Sequence, residues 1–560
     1  MKKILTLLPL IGSLLYVASC DTKDTPDGDP GDFVSASFDP ATQSFIVKYS
    51  TGVEESYSAI IDNSTQPPSA GYPLDEQTYL YVADATVEGE VTVSKEVNTV
   101  SQFVYDGLSL YYYWADEVVS KKPGINDVNP ESYFYRILNS TDTEYGWSWI
   151  TNDVEELLAG FKGNSTSGFG FQPFPLYESA GSPYIVGFIR YVYPGTPAEA
   201  AGLKRGEMIY KINGQRITLN NFMTLYGANR STTFEVRDQN DENPREVTII
   251  PANIQTDPVL YTNVYEAEGK KIGYLFYTHF YSDFNKSLYQ AFSTFKSAGI
   301  TDLVVDLRYN PGGDIGAANY LASLLAPASA VRNKEVYLKM TYNDYLNQIY
   351  DTNNWTRELS LGIYDSGTFE DPLSVNLNLD KVYIIATEYS ASASELVTFC
   401  LEPFMEVEHI GSKTSGKYTA SWTIHPYDDF DDNAQPLYVE SSLSASDKDQ
   451  LQNWAMQPIV GEYKNKEDDS FIATNGLIPD HPITLQERNT TSWKPIGDMD
   501  DYLFSKALSL ITGRPYTAAT RSFDHLQRED PKLYPPVEEI FRGSVIIDHP
   551  ELKPISQHKR

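Results

Sequence analysis

The sequence predicts an α/β multidomain protein, and three observations carry that expectation. From about residue 257 onward, strand-like runs alternate with segments of helical period. K-I-G-Y-L-F-Y (271–277), L-V-V-D-L (303–307) and K-V-Y-I-I-A (381–386) are continuous apolar runs of the kind covered on both faces of a layered sheet. Between them Phe284, Leu288, Ala291, Phe292 and Phe295 recur at helical spacing until Gly299, and A-A-N-Y-L-A-S-L-L (317–325) is a second helix, stopped by Pro327. Second, residues 33–97 hold short alternating strands such as S-F-I-V-K-Y (44–49) and T-Y-L-Y-V (78–82), broken by Asn, Pro and Gly, which predicts a small β domain. Third, 560 residues exceed one core, and 41% apolar content is enough to fill about three to four domains.

The chain opens with Met1-Lys2-Lys3, an apolar stretch from Ile4 to Val17 and the small residues Ala18-Ser19 before Cys20, the pattern of a secretory signal over residues 1–19. The apolar stretch is too short to cross a bilayer as a mature helix. Small residues directly before a cysteine resemble the lipobox of bacterial lipoproteins, which implies lipidation at Cys20 and a membrane partner through that anchor. Residues 20–32 are acidic and rich in Pro and Gly, so they read as a disordered tether. The acidic patch is similar to the surface-export signals of Bacteroidetes lipoproteins, and a plain spacer fits the composition equally well. The other cysteine, Cys400, sits in an apolar context and reads as core filler, leaving no intrachain disulfide. A formal charge of −33 excludes nucleic acid as a partner, because a phosphate backbone needs a basic footprint.

Residues 98–163 predict a helical lead-in, with Phe103, Leu108, Leu110, Tyr113 and Trp114 forming an aromatic face suited to a core, and S-W-I-T-N-D-V-E-E-L-L offering an N-cap before a helix. In 165–252, Gly168-Phe169-Gly170-Phe171 places two glycines around a Phe, letting successive N–H groups point into an anion-binding nest. A strand (184–192), a short helix closed by Gly202, a turn at Gly206 and a strand ending at an Asn-Gly turn follow. This order resembles a PDZ domain, with Gly168, Phe169, Gly170 and Phe171 in the place of its carboxylate-binding loop. That resemblance implies capture of an extended peptide by its free C-terminus.

The chemistry gathers in T-E-Y-S-A-S-A-S-E-L-V-T-F-C (387–400), where a strand ends and Ala393 to Leu401 predict a helix. A hydroxyl at such a junction is exposed, and the helix N-terminus favours negative charge developing nearby. Ser390, Ser392 and Ser394 compete for the role. Downstream, H-I-G-S-K-T-S-G-K-Y-T-A-S (409–421) ends a strand in a Gly-rich turn carrying Lys417, and upstream D-L-R-Y-N-P-G-G (306–313) puts two glycines after a buried strand, allowing close backbone approach to a substrate.

Together these three motifs resemble the S41 family of C-terminal processing peptidases. In that family the serine of S-A-S-E precedes the lysine of the G-K turn by 25 positions, the separation of Ser392 and Lys417 here. The resemblance implies a crotonase-like or ClpP-like βα core over 256–515, a Ser392/Lys417 dyad, and an oxyanion hole from the amides of Gly312 and Ala393, with Gly313 nearly as good a candidate from the residues alone. Lysine serves as a base only when neutral, which desolvation promotes. The family usually carries glutamine four residues after the lysine; Ser421 stands there, a shorter orienter for the amine. N-G-L-I-P-D-H (475–481) resembles the segment closing the S41 core. No G-x-S-x-G or H-E-x-x-H occurs, and His279, His409, His425 and His481 fall outside any catalytic motif, so no triad, metal or cofactor is expected.

The expectation is therefore a lipid-anchored serine endopeptidase of the bacterial envelope, at the outer membrane and facing the periplasm or the surface, that cuts extended polypeptides near their C-termini. Its rival is a peptide-binding PDZ lipoprotein with a silent peptidase core. The polar, Tyr-rich stretch 330–379 reads as a site cover or surface excursion, and the Pro-punctuated tail 516–560 as a segment draped over the surface.

Overall fold

The computed structural model divides into two compact units, residues 1–96 and 97–560. It describes residues 30–514 except 64, 66, 76, 180, 364–369, 428–433, 484–489 and 491–492, and near the end of the chain residues 545, 546, 552, 554 and 555. The signal segment, Cys20 and most of the tail lie outside these residues.

In the first unit a three-stranded sheet (Phe33–Asp39, Ser44–Tyr49, Glu54–Ser58) and a four-stranded one (Ile60–Asp62, Ser69–Asp75, Thr78–Val82, Thr92–Ser94) share a core of Phe38, Phe45, Val47, Leu80 and Val82. The two-residue alternation of T-Y-L-Y-V decides which side chains face inward: Thr78, Leu80 and Val82 are buried.

The second unit is built around a six-stranded sheet in the order Val259–Ala267, Lys270–Tyr277, Asp302–Asp306, Lys381–Ala386, Glu406–Gly411, His481–Pro482. All but the first pair run parallel. The apolar runs are covered on both sides. Tyr274, Phe276, Val304 and Ile385 face the helix Tyr502–Thr512, while Leu275, Val305 and Ile384 face the helices Asn285–Ala298, Ile315–Leu325 and Ala393–Leu401. Each such aliphatic side chain contributes about 1.5–3 kcal/mol by leaving water. A buried ion cluster pins the far face: Arg308 binds Asp306 at 2.6 Å and Asp501, the N-cap of Tyr502–Thr512, at 2.7 Å.

Residues 171–249 form a separate antiparallel sheet in the order Phe171–Tyr177, Ile185–Val192, Met208–Ile212, Thr232–Arg237, Arg245–Ile249, with the short helix Pro197–Ala200 capped by Thr196. Phe169 and Phe171 are buried in its core, their rings stacked 6.0 Å apart. Gly170 adopts φ +92°, and Thr196 fills the space a Cβ would need.

Three features depart from the sequence expectations. The lead-in is helical at Thr99–Tyr111, Pro130–Ile137, Ser140–Tyr145 and Val154–Phe161, but Trp149–Thr151 is a strand paired with Ala455–Gln457, in which Trp149 and Ile150 are buried. The stretch 330–379 is not merely a surface excursion. Its strand Val336–Tyr342 pairs with Ile459–Asn465 and buries Leu338, Met340 and Tyr342 on one face and Tyr337 on the other, which Lys339 and Thr341 disguise in the sequence. The described part of the tail is not draped either: Val545–Ile546 runs parallel between Gly313–Asp314 and Ala420–Ser421.

Candidate active site

Three neighbouring parallel strands deliver the three motifs at their carboxyl ends: Gly312 follows Asp302–Asp306, Ser392 follows Lys381–Ala386, and Lys417 follows Glu406–Gly411. Loops at this edge of an open α/β sheet are where ligands bind.

Hydrogen bonding separates the three serines. Ser390 Oγ donates to Leu307 O at 2.7 Å and accepts from Thr387 N at 2.9 Å, and Ser394 Oγ donates to Asn310 O at 2.8 Å. Both hydroxyls brace the loops. Ser392 Oγ is buried and makes no hydrogen bond among the described residues. Ser392 also adopts φ +58° and ψ −112°, a backbone conformation that side chains with a Cβ rarely take and that costs about 1–3 kcal/mol. The helix Ala393–Leu401 begins immediately after it.

Lys417 is 2% exposed. Burial pulls its pKa down from 10.5 to about 7, against the opposing pull of Asp142 and then Glu395. Ser392 and Lys417 are fastened together through their backbone N–H and C=O groups. Glu395 Oε2 accepts from Ser392 N at 2.8 Å and Lys417 N at 2.9 Å, and Tyr463 Oη donates to Lys417 O at 3.2 Å and, more weakly, to Ser392 O at 3.5 Å. The other Glu395 oxygen takes Gly416 N at 2.7 Å and the Thr414 hydroxyl. Burial raises the Glu395 pKa to about 7, although these four donors favour its anion. Glu395 was not singled out from the sequence, though S-A-S-E places it where a helix N-terminus puts a carboxylate to bind the preceding N–H. Tyr463 and Asp142 lie far along the chain and carry no local signal.

Gly312 adopts φ +106°, and a Cβ there would sit 2.9 Å from Ala391 O, Ala393 N and Ser392 Cβ, so glycine is required for the loop to touch the serine turn. Its N–H donates to Asn310 Oδ1 at 2.8 Å, and Asn310 Nδ2 in turn donates to Tyr277 O. The structure therefore brings Gly312, Ser392 and Ala393 together, with the Gly312 donor engaged by Asn310. Ser421 accepts from Gln457 Nε2 at 3.2 Å, while Gln457 Oε1 accepts from Thr423. An amide thus stands beside position 421, supplied by another strand.

A cavity of about 1390 Å³ runs from Lys417 and Ala391 past Arg190, Tyr309 and Tyr389 to Phe171. The Arg190 guanidinium lies 4.1 Å from the Tyr389 ring and 4.8 Å from that of Tyr309, bridging the serine and glycine loops. Arg205 adds a hydrogen bond to Tyr309 Oη at 3.0 Å.

A parallel βα core that presents a buried serine, a desolvated lysine and a glycine loop at one edge defines a serine hydrolase architecture. Residues 271–483 match the model of peptidase family S41, residues 188–225 that of a PDZ domain and residues 99–149 that of a peptidase S41 N-terminal domain, so the chain carries an S41 peptidase domain. The carboxyl-terminal-processing protease of Synechocystis sp. is 25% identical over 324 residues, 57% of this chain and 63% of that protein. A CtpA-like serine protease of Staphylococcus aureus is 24% identical over 274 residues, 48% of each chain, so this chain spans about half to two-thirds of the length of these relatives. A crystal structure of a Bacteroides fragilis chain assigned to the S41 proteases has the same fold, with a TM-score of 0.57 at 24% identity over 74% of this chain and 97% of that one.

Proposed function

We propose that the protein is a serine endopeptidase of the bacterial envelope, anchored through a lipid on Cys20, that cleaves extended polypeptides near their C-termini. One observation carries the chemistry: a strained, buried serine and a lysine with a pKa near 7 share the carboxylate of Glu395. Neutral Lys417 takes the proton of Ser392 as Oγ attacks the scissile carbonyl; general bases of this kind are worth about 10²–10⁴ in rate. The amides of Gly312 and Ala393 receive the oxyanion, and a donor of that kind is worth about 10²–10³. The ammonium then protonates the leaving amine, and water releases the acyl-enzyme. Substrate entry turns the Ser392 hydroxyl toward Lys417 and draws the Gly312 N–H away from Asn310, since neither bond stands in the resting form. The loop Gly168–Phe171 holds the terminal carboxylate of the substrate, and the cavity leading from Phe171 to Lys417 is its path.

The same resting geometry favours the rival, a binding protein with a silent core. A fluorophosphonate probe decides: stoichiometric labelling at Ser392, together with loss of cleavage of an unfolded polypeptide in Ser392→Ala, supports the peptidase. No labelling under any condition supports the binder. Equal affinity for free-acid and amidated peptides removes the role of Gly168–Phe171.

A further inference from the structure

The strand Phe171–Tyr177 is an edge: it pairs with Ile185–Val192 on one side and, among the described residues, with no strand on the other. In an antiparallel pair, opposed residues alternate between those that bond each other and those whose N–H and C=O point outward. Ile185 N donates to Ile217 O, Ile189 N donates to Glu207 O and Ile189 O accepts from Gly206 N, each at 2.9 Å, so these residues direct backbone groups away from Phe171–Tyr177. Tyr184 O has the opposite phase and accepts from Glu178 N at 2.9 Å. The residues standing across from Ile185, Gly187 and Ile189 are Tyr177, Pro175 and Pro173. Their backbone groups therefore point to the open edge. Beyond the bulge between Gln172 and Pro173, Tyr193 N donates to Gly170 O at 2.8 Å, which turns the Phe171 N–H to that edge as well. Proline has no N–H, so after Phe171 the edge offers acceptors at two successive outward positions and a donor at neither.

Proline on an edge strand ordinarily guards against pairing with another protein. That account does not fit here, because Pro173 and Pro175 are buried and line the cavity that runs to Lys417, together with Met223, Tyr226 and Ala228. A wall enclosed in this way is reached by a chain threading the cavity rather than by the edge of another folded sheet. An extended peptide with its carboxylate at Gly168–Phe171 lies along this edge, the arrangement by which peptides add a strand to a sheet. Its terminal residue meets the N–H and C=O of Phe171. With the two-residue period of a strand, the next outward-facing residues upstream meet Pro173 and then Pro175. The two proline C=O groups accept from the peptide but leave its own C=O groups without donors, and a polar group so stranded offsets what its neighbour contributes.

We propose that Pro173 and Pro175 are specificity-determining residues that make this groove a reader of chain ends: it holds a polypeptide by its last residue and carboxylate and does not select the upstream sequence through a strand ladder. The inference rests on the proposed capture of the terminal carboxylate by Gly168–Phe171 and adds what the rest of the groove does. The ligand class is any unfolded chain with a free C-terminus, whatever the strand propensity of the residues before it. Those residues stay unpinned along the path to Lys417.

The test restores the missing donors. Pro173→Ala with Pro175→Ala returns both N–H groups and adds no bulk. Binding is read in the full chain carrying Ser392→Ala, with a fluorescent octapeptide and, by competition, the dipeptide of its last two residues, which ends short of Pro173. The double proline variant is expected to bind the octapeptide about tenfold tighter than its parent, the effect of two backbone hydrogen bonds, and the dipeptide with unchanged affinity. A general disturbance of the domain moves both ligands together. A folded variant that binds the octapeptide no tighter than the parent overturns the proposal. Should the variant not fold, the parent decides alone: octapeptide and dipeptide affinities are expected within about fivefold of each other, and a larger advantage of the octapeptide overturns the proposal. Amidating the octapeptide separates the underlying reading. A gain in the double variant together with equal affinity for acid and amide removes the carboxylate capture while the edge closed by Pro173 and Pro175 stands.

Discussion

The backbone N–H groups of Ser392 and Lys417, 25 residues apart in the chain, converge on one oxygen of Glu395 at 2.8 and 2.9 Å. The spacing is therefore held by a third side chain. Glu395→Gln keeps the volume but replaces one acceptor oxygen with an NH2 group, leaving N–H donors facing a donor. Stability is expected to fall by about 2–4 kcal/mol in denaturant melts, with activity lost in parallel. The Glu395 pKa lies above its ordinary 4.5, so the folded protein binds more protons than the unfolded chain between pH 4.5 and about 7. Wild-type stability declines across that window as pH rises, and the decline is absent in the Gln variant.

Lys417 has the opposite linkage. Its pKa is depressed from 10.5 to about 7, so the unfolded chain binds the extra proton and stability climbs with pH between those values. At pH 7 the buried amine destabilises the fold by up to about 4–5 kcal/mol. Lys417→Met, of similar length and uncharged, is expected to abolish cleavage while raising the melting temperature at pH 7, and the gain vanishes above about pH 10.5. A Met variant less stable than wild type at pH 7 contradicts a net cost of burying the amine. In wild-type enzyme the acid limb of kcat/KM has its midpoint near pH 7.

How far the sequence was readable follows from the range of the forces involved. The strand Lys381–Ala386 and the helix Ala393–Leu401 fall where an apolar run and a strand-to-helix junction predict them, because period and capping are local. The choice of Ser392 over Ser390 and Ser394 came from register against Lys417, and the structure adds the reason the others are unsuited: their hydroxyls brace Leu307 and Asn310. Ser421 looked like the loss of an amide, whereas Gln457 brings one from another strand. That contact, like the Asn310 hold on Gly312 and the Tyr463 bridge, depends on pairing between distant strands that no spacing rule encodes. Trp149–Thr151 and Val336–Tyr342 were missed for a related cause: three-residue strands and strands with Lys or Thr on the outer face have weak patterns, and their partners decide them.

Removing the tail tests the strand slot beside the site. Val545–Ile546 hydrogen-bonds on one side to Gly313–Asp314 and on the other to Ala420–Ser421, while Ile555 exchanges backbone bonds with Leu437 and Val439 at 2.8 and 2.7 Å. Truncation after residue 540 strips those partners from two strand edges. The expected outcome is a melting temperature lower by a few degrees, consistent with losing several backbone bonds worth about 0.5–1.5 kcal/mol each, and faster fluorophosphonate labelling of Ser392 because the groove between Gly313 and Ser421 opens. Unchanged melting and unchanged labelling together contradict the pairing.

The conformation of Ser392 supplies the last prediction. Its φ of +58° with ψ of −112° belongs to a region that glycine enters far more readily, and the residue is held there by Glu395 at its N–H and by the helix starting at Ala393. Ser392→Ala and Ser392→Gly both delete the hydroxyl and are expected to lose labelling and cleavage equally. They differ in strain. Alanine retains the Cβ and with it the disfavoured backbone conformation, whereas glycine relieves the backbone at the cost of greater freedom in the unfolded chain, about 0.5–1 kcal/mol. With about 1–3 kcal/mol of strain released, the Gly variant is expected to be more stable than the Ala variant by about 1 kcal/mol, readable as a difference in denaturation midpoint at equal slope. An Ala variant as stable as the Gly variant shows that the serine turn is not strained.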